Sequence, residues 1–105
     1  MFSIIIPTYN RNDLLSKCLQ RLEPGSQSID VNKYEVIVTD DSKQEEAKNF
    51  IQNNFNWVKW VPGPQKGPAA NRNYGAKQAS GEWLIFIDDD CMPDVHLLQN
   101  YQNAL

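Results

Sequence analysis

The chain has 105 residues, of which 41% are hydrophobic and 10% aromatic, and its formal net charge at pH 7 is −3. This composition supports a buried core and excludes an intrinsically disordered chain, and the length corresponds to one domain or part of one. The negative net charge argues against a nucleic acid partner.

The apolar run in the N-terminal stretch MFSIIIPTYNR is too short for a signal peptide or a membrane span. Cys18 and Cys91 match no metal-ligand spacing, and without a secretory leader we expect both to be reduced. These features predict a cytoplasmic protein, with association at the inner face of the membrane through other segments left open. Because VHLLQNYQNAL stops within a predicted helix, we expect the chain to be part of a longer enzyme.

Strands and helices are predicted to alternate from the N-terminus. Residues 2–7 form an apolar run that Pro7 ends, which is typical of a central strand in a parallel sheet. Asn10 or Asn12 is predicted to cap a helix that ends at Pro24-Gly25. The later elements are predicted to be a strand over 34–42, a helix over 45–53, an edge strand over 56–63, a helix over 68–79, a strand over 82–90 and a helix opened by Pro93.

This alternation predicts an α/β fold, a Rossmann-like open and mainly parallel sheet with helices on both faces. In such sheets ligands bind beyond the carboxyl ends of the strands, near the point where the strand order reverses. Polar segments follow three of the strands: PTYNR at 7–11, DDS at 40–42 and DDD at 88–90. We therefore expect these segments to meet at one edge of the sheet.

Five carboxylates fall in these segments, those of Asp40, Asp41, Asp88, Asp89 and Asp90. Close together they would repel one another strongly unless a cation neutralised them. Oxygen ligands without a His or Cys cluster favour Mg²⁺ or Mn²⁺ over zinc. Such an ion keeps coordination positions for water and phosphate oxygens, so the sequence predicts a phosphorylated ligand and most simply a nucleotide.

The pair Asp40-Asp41 has a second predicted use. A carboxylate only accepts hydrogen bonds, so it selects a base edge that donates one, such as the N–H of uracil or guanine. Three basic residues, Arg11, Lys66 and Arg72, lie in or beside loops on the same side and are candidates to hold phosphates or to pair with the acids.

Four segments resemble the nucleotide-binding half of a family 2 glycosyltransferase with the GT-A fold: SIIIPTYNR, YEVIVTDDS, KGPAANRNYGAKQASGEWLIFIDDD and MPD. They span most of the chain in the family's order and spacing. The resemblance implies a nucleotide-diphospho-sugar donor, a divalent metal and inverting transfer of the sugar to a saccharide or lipid-linked acceptor. UDP is the expected nucleotide, with GDP and TDP as alternatives.

The resemblance also implies roles for individual residues. Asp40 would accept the N–H of the base, and Asp88 and Asp89 would meet the ribose hydroxyls. Asp90, together with Asp88, would bind Mn²⁺ or Mg²⁺ and so help to neutralise the leaving diphosphate. The complete set of implied donor-binding residues is Pro7, Thr8, Tyr9, Arg11, Asp40, Lys66, Arg72, Asp88 and Asp89.

Two positions depart from the family's pattern. Asp41 is followed by Ser42-Lys43 where Gly or Asn and then Ser are usual, which bears on the shape of the turn and on the base preference. Cys91 stands where a further acid is common. The family's catalytic base lies downstream of the DxD segment, so we expect these 105 residues to contain no base and to be inactive alone.

Two other kinds of protein also gather acids at the ends of parallel strands. A receiver-like signalling domain needs acids after its first strand, where this chain has Pro7-Thr8-Tyr9. A non-catalytic module that binds nucleotide or metal would differ by lacking turnover of a donor sugar. Asp88–Asp90 could instead stabilise the N-terminus of the helix after Pro93, and Asp40-Asp41 could instead form a turn or a helix cap.

Overall fold

A computed structural model describes residues 1–43 and 46–105 as a four-stranded parallel sheet with helices on both faces. The strand order across the sheet is β3-β2-β1-β4. The strands are β1 Phe2–Thr8, β2 Tyr34–Asp40, β3 Lys59–Pro62 and β4 Trp83–Phe86. The helices are α1 Asn12–Gln20, α2 Glu46–Asn54, α3 Pro68–Lys77 and α4 Leu97–Ala104, and a single 3₁₀ turn, Val31–Lys33, precedes β2.

Helices cover both faces of the two central strands, which explains the apolar residues 4–6 of β1 and 36–38 of β2. β1 and β2 pair in register from Phe2 opposite Tyr34 to Thr8 opposite Asp40. One face packs Ile4, Ile6, Val36 and Val38 against apolar side chains of α1, α2 and α4, namely Leu15, Cys18, Leu19, Ile51, Leu97 and Leu98. The other face packs Ile5, Ile37 and Val61 against Tyr74 of α3.

Helix α3 lies unusually close to the sheet at Gly75. A Cβ atom added there would lie 2.6 Å from Ile5 Cγ2 and 2.9 Å from Thr39 Cγ2. Both distances are shorter than the contact distance of two carbon atoms, so only glycine fits at this position without a shift of the helix. Because α3 follows β3, the N-terminus of α3 lies at the carboxyl end of the sheet.

The predicted order of strands and helices is confirmed, and β3 is an edge strand as expected. The predicted asparagine cap of α1 is wrong, because Arg11 occupies the N-cap position and no side chain caps the helix. The last helix begins at Leu97 and not at Pro93, because Asp94 accepts a hydrogen bond from the His96 N–H and forms a turn there.

Other boundaries differ by a few residues. The regular pairing of β4 ends at Phe86, although the Ile87 N–H still bonds to the Ile5 carbonyl at 3.0 Å. Residue 45, where the second helix was predicted to begin, lies outside the described residues. Within the described part of the chain, no helix has both the length and the apolar character needed to cross a membrane.

Candidate functional site

The strand order reverses between β1 and β4, and a cavity opens at the carboxyl ends of the strands at this point. The chain runs from β1 to β2 to β3 in one direction and then returns to place β4 on the other side of β1. The cavity has a volume of about 720 Å³. It is lined by Pro7, Thr8, Tyr9, Arg11, Asp41, Lys43, Gln65, Gly67, Pro68, Asn71, Arg72, Asp88, Asp89 and Asp90.

Most of the candidate residues from the sequence line this one cavity, as the convergence of strand ends predicted. Asp40 and Lys66 do not line it. Lys66 is exposed in the loop before α3, between two residues that do face the cavity. The residues that sequence reasoning missed are Lys43, Gln65, Gly67, Pro68 and Asn71.

The two neighbouring acids after β2 point to opposite sides of the sheet, and this corrects the expectation for Asp40. Successive side chains of a strand alternate between its two faces. Asp40 therefore lies on the face of Val36 and Val38, where it is 2% exposed and accepts a hydrogen bond from the Trp60 indole N–H at 3.2 Å. Asp41 lies on the cavity side. Of these two acids, the one that lines the cavity is thus Asp41.

The Asp41 carboxylate is held in place by the loop between β3 and α3. Its Oδ1 accepts the Gln65 backbone N–H at 2.8 Å, and the side chain is only 8% exposed. Gly63 passes so close that a Cβ there would overlap the Asp41 carboxylate. The loop therefore forms a wall against Asp41 and orients one of its oxygens.

Asn71 on α3 holds the start of this helix against β2. Its Nδ2 donates to the Thr39 carbonyl at 3.0 Å, and its Oδ1 accepts the Thr39 hydroxyl at 2.6 Å. Asn71 is buried, so these reciprocal bonds satisfy its amide group and tie the start of α3 to β2.

Asp89 joins the acidic segment that follows β4 to the end of β1. Its Oδ2 accepts the Thr8 hydroxyl of β1 at 2.9 Å, and its Oδ1 lies 3.4 Å from Arg11 Nη1. Asp89 is 5% exposed, whereas Asp88 and Asp90 on either side of it are exposed. The middle acid of the three is thus a structural link, and its two neighbours remain free to face a ligand.

Two exposed carboxylates in this segment have the chemistry of metal ligands. Asp88 and Asp90 both line the cavity, while Asp89 is engaged by Thr8 and Arg11. Within residues 1–43 and 46–105, no three His, Cys, Asp or Glu side chains converge as a ready-made metal cluster. Two carboxylates are nevertheless the usual protein contribution to a Mg²⁺ site that is completed by phosphate oxygens and water.

Two free thiols lie beneath the acidic segment. The Cys18 Sγ contacts the Asp88 carbonyl oxygen at 3.9 Å, and the Cys91 N–H donates to the same oxygen at 3.0 Å. Burial, and then the nearby Cys91 and the acids Asp89 and Asp90, raise the pKa of Cys18 to about 12. Burial, and then the acids Asp88 and Asp90, also raise the pKa of Cys91. Both thiols are therefore protonated at neutral pH.

The segment that follows the acids is anchored by Gln27, a buried residue that sequence reasoning missed. Its Nε2 donates to the Arg21 and Asp94 carbonyls, each at 2.8 Å, and its Oε1 accepts the Leu98 N–H at 3.3 Å. Gln27 lies between the first predicted helix and the second predicted strand, and no sequence pattern marks it. These bonds hold the chain after Asp90 against the end of α1.

The chain matches known proteins over almost its full length. Residues 3–105 match the model of a family described as glycosyl transferase family 2. The chain is 37% identical over 93 residues to the GalNAc(5)-diNAcBac-PP-undecaprenol beta-1,3-glucosyltransferase of Campylobacter jejuni, covering 84% of this chain and 29% of that protein. It is 38% identical over 101 residues to glycosyltransferase AglE of Haloferax volcanii, covering 92% of this chain and 33% of that protein.

A solved structure has the same fold. The crystal structure of S. aureus TarS 1–349 in complex with UDP-GlcNAc matches with a TM-score of 0.80 and 28% sequence identity, over 97% of this chain and 30% of that chain. The chain thus spans about a third of the length of the relatives that it matches.

Proposed function

Because the chain belongs to glycosyl transferase family 2, we propose that it forms the donor-binding part of a glycosyltransferase, which binds a nucleotide-diphospho-sugar together with a divalent metal ion. Its parallel sheet with helices on both faces is the nucleotide-binding half of a GT-A fold. Membership of this family excludes the receiver-like alternative.

The cavity at the switch point carries this proposal. Its volume of about 720 Å³ lies within the range of roughly 300–1,000 Å³ that is usual for small-molecule sites. Four acidic residues line it, and Arg11, Lys43 and Arg72 also line it. This mixture suits a ligand that brings both a hydrogen-bond-donating base and an anionic diphosphate.

Asp41 is the proposed base-reading residue, in place of Asp40. A carboxylate on the cavity wall accepts the N–H of uracil N3, and the Gln65 N–H on its other oxygen keeps it oriented. Thymine and guanine also present such an N–H, so Asp41 alone does not distinguish the three nucleotides. UDP is favoured because the 28% identical TarS structure is a complex with UDP-GlcNAc.

Asp88 and Asp90 are the proposed metal ligands, and the ion would be Mn²⁺ or Mg²⁺ because both ligands are hard oxygen donors. When bound, the ion would supply charge neutralisation of the diphosphate leaving group. Arg11, Lys43 and Arg72 add positive charge around the same cavity, which favours binding of the diphosphate. Thr8 supports this arrangement by holding Asp89, so that the exposed acids on either side keep their positions.

Transfer would proceed with inversion to a saccharide or lipid-linked acceptor. Direct displacement needs a general base within hydrogen-bond reach of the acceptor hydroxyl, to take its proton as the oxygen attacks the anomeric carbon. We propose that this base belongs to a part of the enzyme outside these residues, since the chain spans about a third of its relatives.

Calorimetric titration of the chain with UDP, GDP and TDP, each with and without Mn²⁺, tests the donor site. We expect UDP to bind only with Mn²⁺, and to bind about tenfold or more weakly in Asp90→Ala and Asp41→Asn, a loss of about 1.4 kcal/mol or more. Asp30→Asn is the matched control. Asp30 is an exposed acid that accepts the Asn32 N–H, and it lies before β2, at the amino ends of the strands and away from the cavity.

Each outcome of this titration is informative. Binding of GDP alone would correct the base, and binding that is independent of Mn²⁺ would refute the metal site. If none of the three nucleotides bound, the donor-site proposal would fail. Equal losses in Asp30→Asn and Asp41→Asn would show that Asp41 has no special role.

A further inference from the structure

We propose that Trp60, Asp40 and Ser42 form a hydrogen-bonded relay that positions the turn between β1 and α1 for nucleotide binding. Asp40 is then a positioning residue that does not touch the ligand. The inference that the relay serves binding rests on the proposed function, whereas the relay itself is a property of the chain without ligand.

The Asp40 carboxylate is fully engaged within the protein. Its Oδ1 accepts the Ser42 backbone N–H at 2.9 Å, and its Oδ2 accepts the Trp60 indole N–H at 3.2 Å. The residue is 2% exposed and lies on the face of the sheet opposite Asp41. A buried carboxylate needs such donors, because removing either one leaves charge without compensation. Asp40 therefore holds the backbone of the turn that carries Asp41.

The Ser42 side chain extends this connection to the first strand. Its Oγ accepts the Asn10 backbone N–H at 2.9 Å. Asn10 has a φ of 53°, in the left-handed region that non-glycine residues seldom occupy. A specific contact is needed to keep the residue in this conformation. The neighbours of Asn10 in sequence, Tyr9 and Arg11, both line the cavity.

A second hydrogen bond joins the end of β1 to the residue that follows β2. The Asp41 N–H donates to the Thr8 carbonyl at 3.0 Å. The segments 8–11 and 40–42 are therefore joined by two bonds, Asp41 N–H to Thr8 and Asn10 N–H to Ser42. Together they set the distance between the segments that carry Tyr9 and Asp41, and both of these residues line the cavity.

Trp60 connects this wall to the edge strand. Its indole is half-buried on β3, and the Lys48 ammonium lies 5.4 Å from the centre of its ring. The ring position is thus set by β3 and α2, and its N–H transmits that position to Asp40. If Trp60 had a purely structural role, its substitution would lower only the stability of the protein. If Trp60 has a positioning role, its substitution also lowers nucleotide affinity and speeds hydrogen exchange of distant amides.

The relay is tested by hydrogen exchange of the Asn10 and Ser42 amides, followed by NMR in the chain without ligand. Trp60→Phe keeps an aromatic ring but removes the indole N–H, and Asp40→Asn removes one acceptor. Ser42→Ala removes the final acceptor, and Ser42→Thr should restore it. Trp83→Phe is the matched control. Trp83 is exposed at the start of β4, which is the edge strand on the other side of the sheet from β3 and Trp60.

We expect exchange at the Asn10 amide to be about tenfold faster in Trp60→Phe and Ser42→Ala, equivalent to about 1.4 kcal/mol, with wild-type exchange in Ser42→Thr and Trp83→Phe. UDP affinity, measured with Mn²⁺, should fall about tenfold in the same two variants. The free energy of unfolding of Ser42→Ala should change little, because the bond that it loses is exposed.

Failure of the relay and failure of the donor site are distinguishable. Unchanged exchange at Asn10 in both Trp60→Phe and Ser42→Ala refutes the relay, whether or not a nucleotide binds. Faster exchange with unchanged UDP affinity refutes the positioning role. A wild-type chain that binds no nucleotide refutes the proposed function, and the role of the relay in binding falls with it.

Discussion

Replacement of Thr8 by valine is expected to destabilise the junction between β1 and the acidic segment. Valine has nearly the shape of threonine but carries a methyl group in place of the hydroxyl. The substitution therefore removes the 2.9 Å hydrogen bond that Thr8 donates to Asp89 and leaves the backbone pairing of β1 unchanged. Both side chains are buried, so water does not readily replace the lost donor.

The expected loss in the free energy of unfolding is about 2 kcal/mol. A hydrogen bond to a charged group contributes roughly 1.5–3 kcal/mol, and Asp89 is 5% exposed. The remaining partner, Arg11, lies 3.4 Å away and its side chain is 55% exposed, and pairs of this kind contribute only about 0–1 kcal/mol. Arg11 therefore does not compensate for the lost hydroxyl.

Urea unfolding followed by tryptophan fluorescence measures this loss. With a slope of roughly 2 kcal/mol per molar urea, a loss of about 2 kcal/mol lowers the midpoint by about 1 M. Thr8→Ser keeps the hydroxyl and is the control, with a smaller loss expected. Equal midpoints for wild type and Thr8→Val, or a larger loss in Thr8→Ser than in Thr8→Val, would refute the role assigned to this bond.

Two further predictions concern the thiols and the packing of α3. Burial and nearby acids raise the pKa of Cys18 from 9.0 to about 12, so its contribution to stability is complete below pH 9 and is lost as the pH rises towards 12, at about 1.4 kcal/mol per pH unit. Urea midpoints between pH 8 and 10.5 should therefore fall less steeply in Cys18→Ala, and an equal slope in both proteins would contradict this cause. Gly75→Ala should lower the free energy of unfolding by about 1 kcal/mol, because overpacking against Ile5 and Thr39 costs roughly 1–3 kcal/mol and alanine's helix propensity returns at most about 1. Asn73→Ala on the exposed side of α3 is its control, and a more stable Gly75→Ala protein would show that the helix can shift without cost.

The strand and helix order could be predicted because it depends on local patterns. Residues 4–6 and 36–38 are apolar on both faces, and this indicates central strands covered by helices on both sides. The boundaries were harder to predict where long-range contacts set them. Pro93 is compatible with a helix start, yet the bonds of Gln27 hold the chain after it in a non-helical segment as far as Leu97.

The location of the site was predictable for a similar reason. Parallel strands bring their carboxyl ends to one edge, so PTYNR, DDS and DDD had to meet whatever the details of packing. The sequence could not assign Asp40 and Asp41 to a face. Because Val36, Ile37 and Val38 make the middle of β2 apolar on both faces, the alternation that usually separates inward from outward positions gives little information there.

The sequence by itself therefore determined the α/β order, the acids at the strand ends and the family, since each depends on residue types at fixed spacing. The tertiary structure decided which acid faces the cavity, because the face of Asp41 depends on the position of the loop from Gly63 to Gln65. It also decided that Asp89 is held by Thr8, and that Trp60 holds Asp40, since these pairs are 81 and 20 residues apart in the chain. Contacts at such separations arise only from packing, and no local pattern records them.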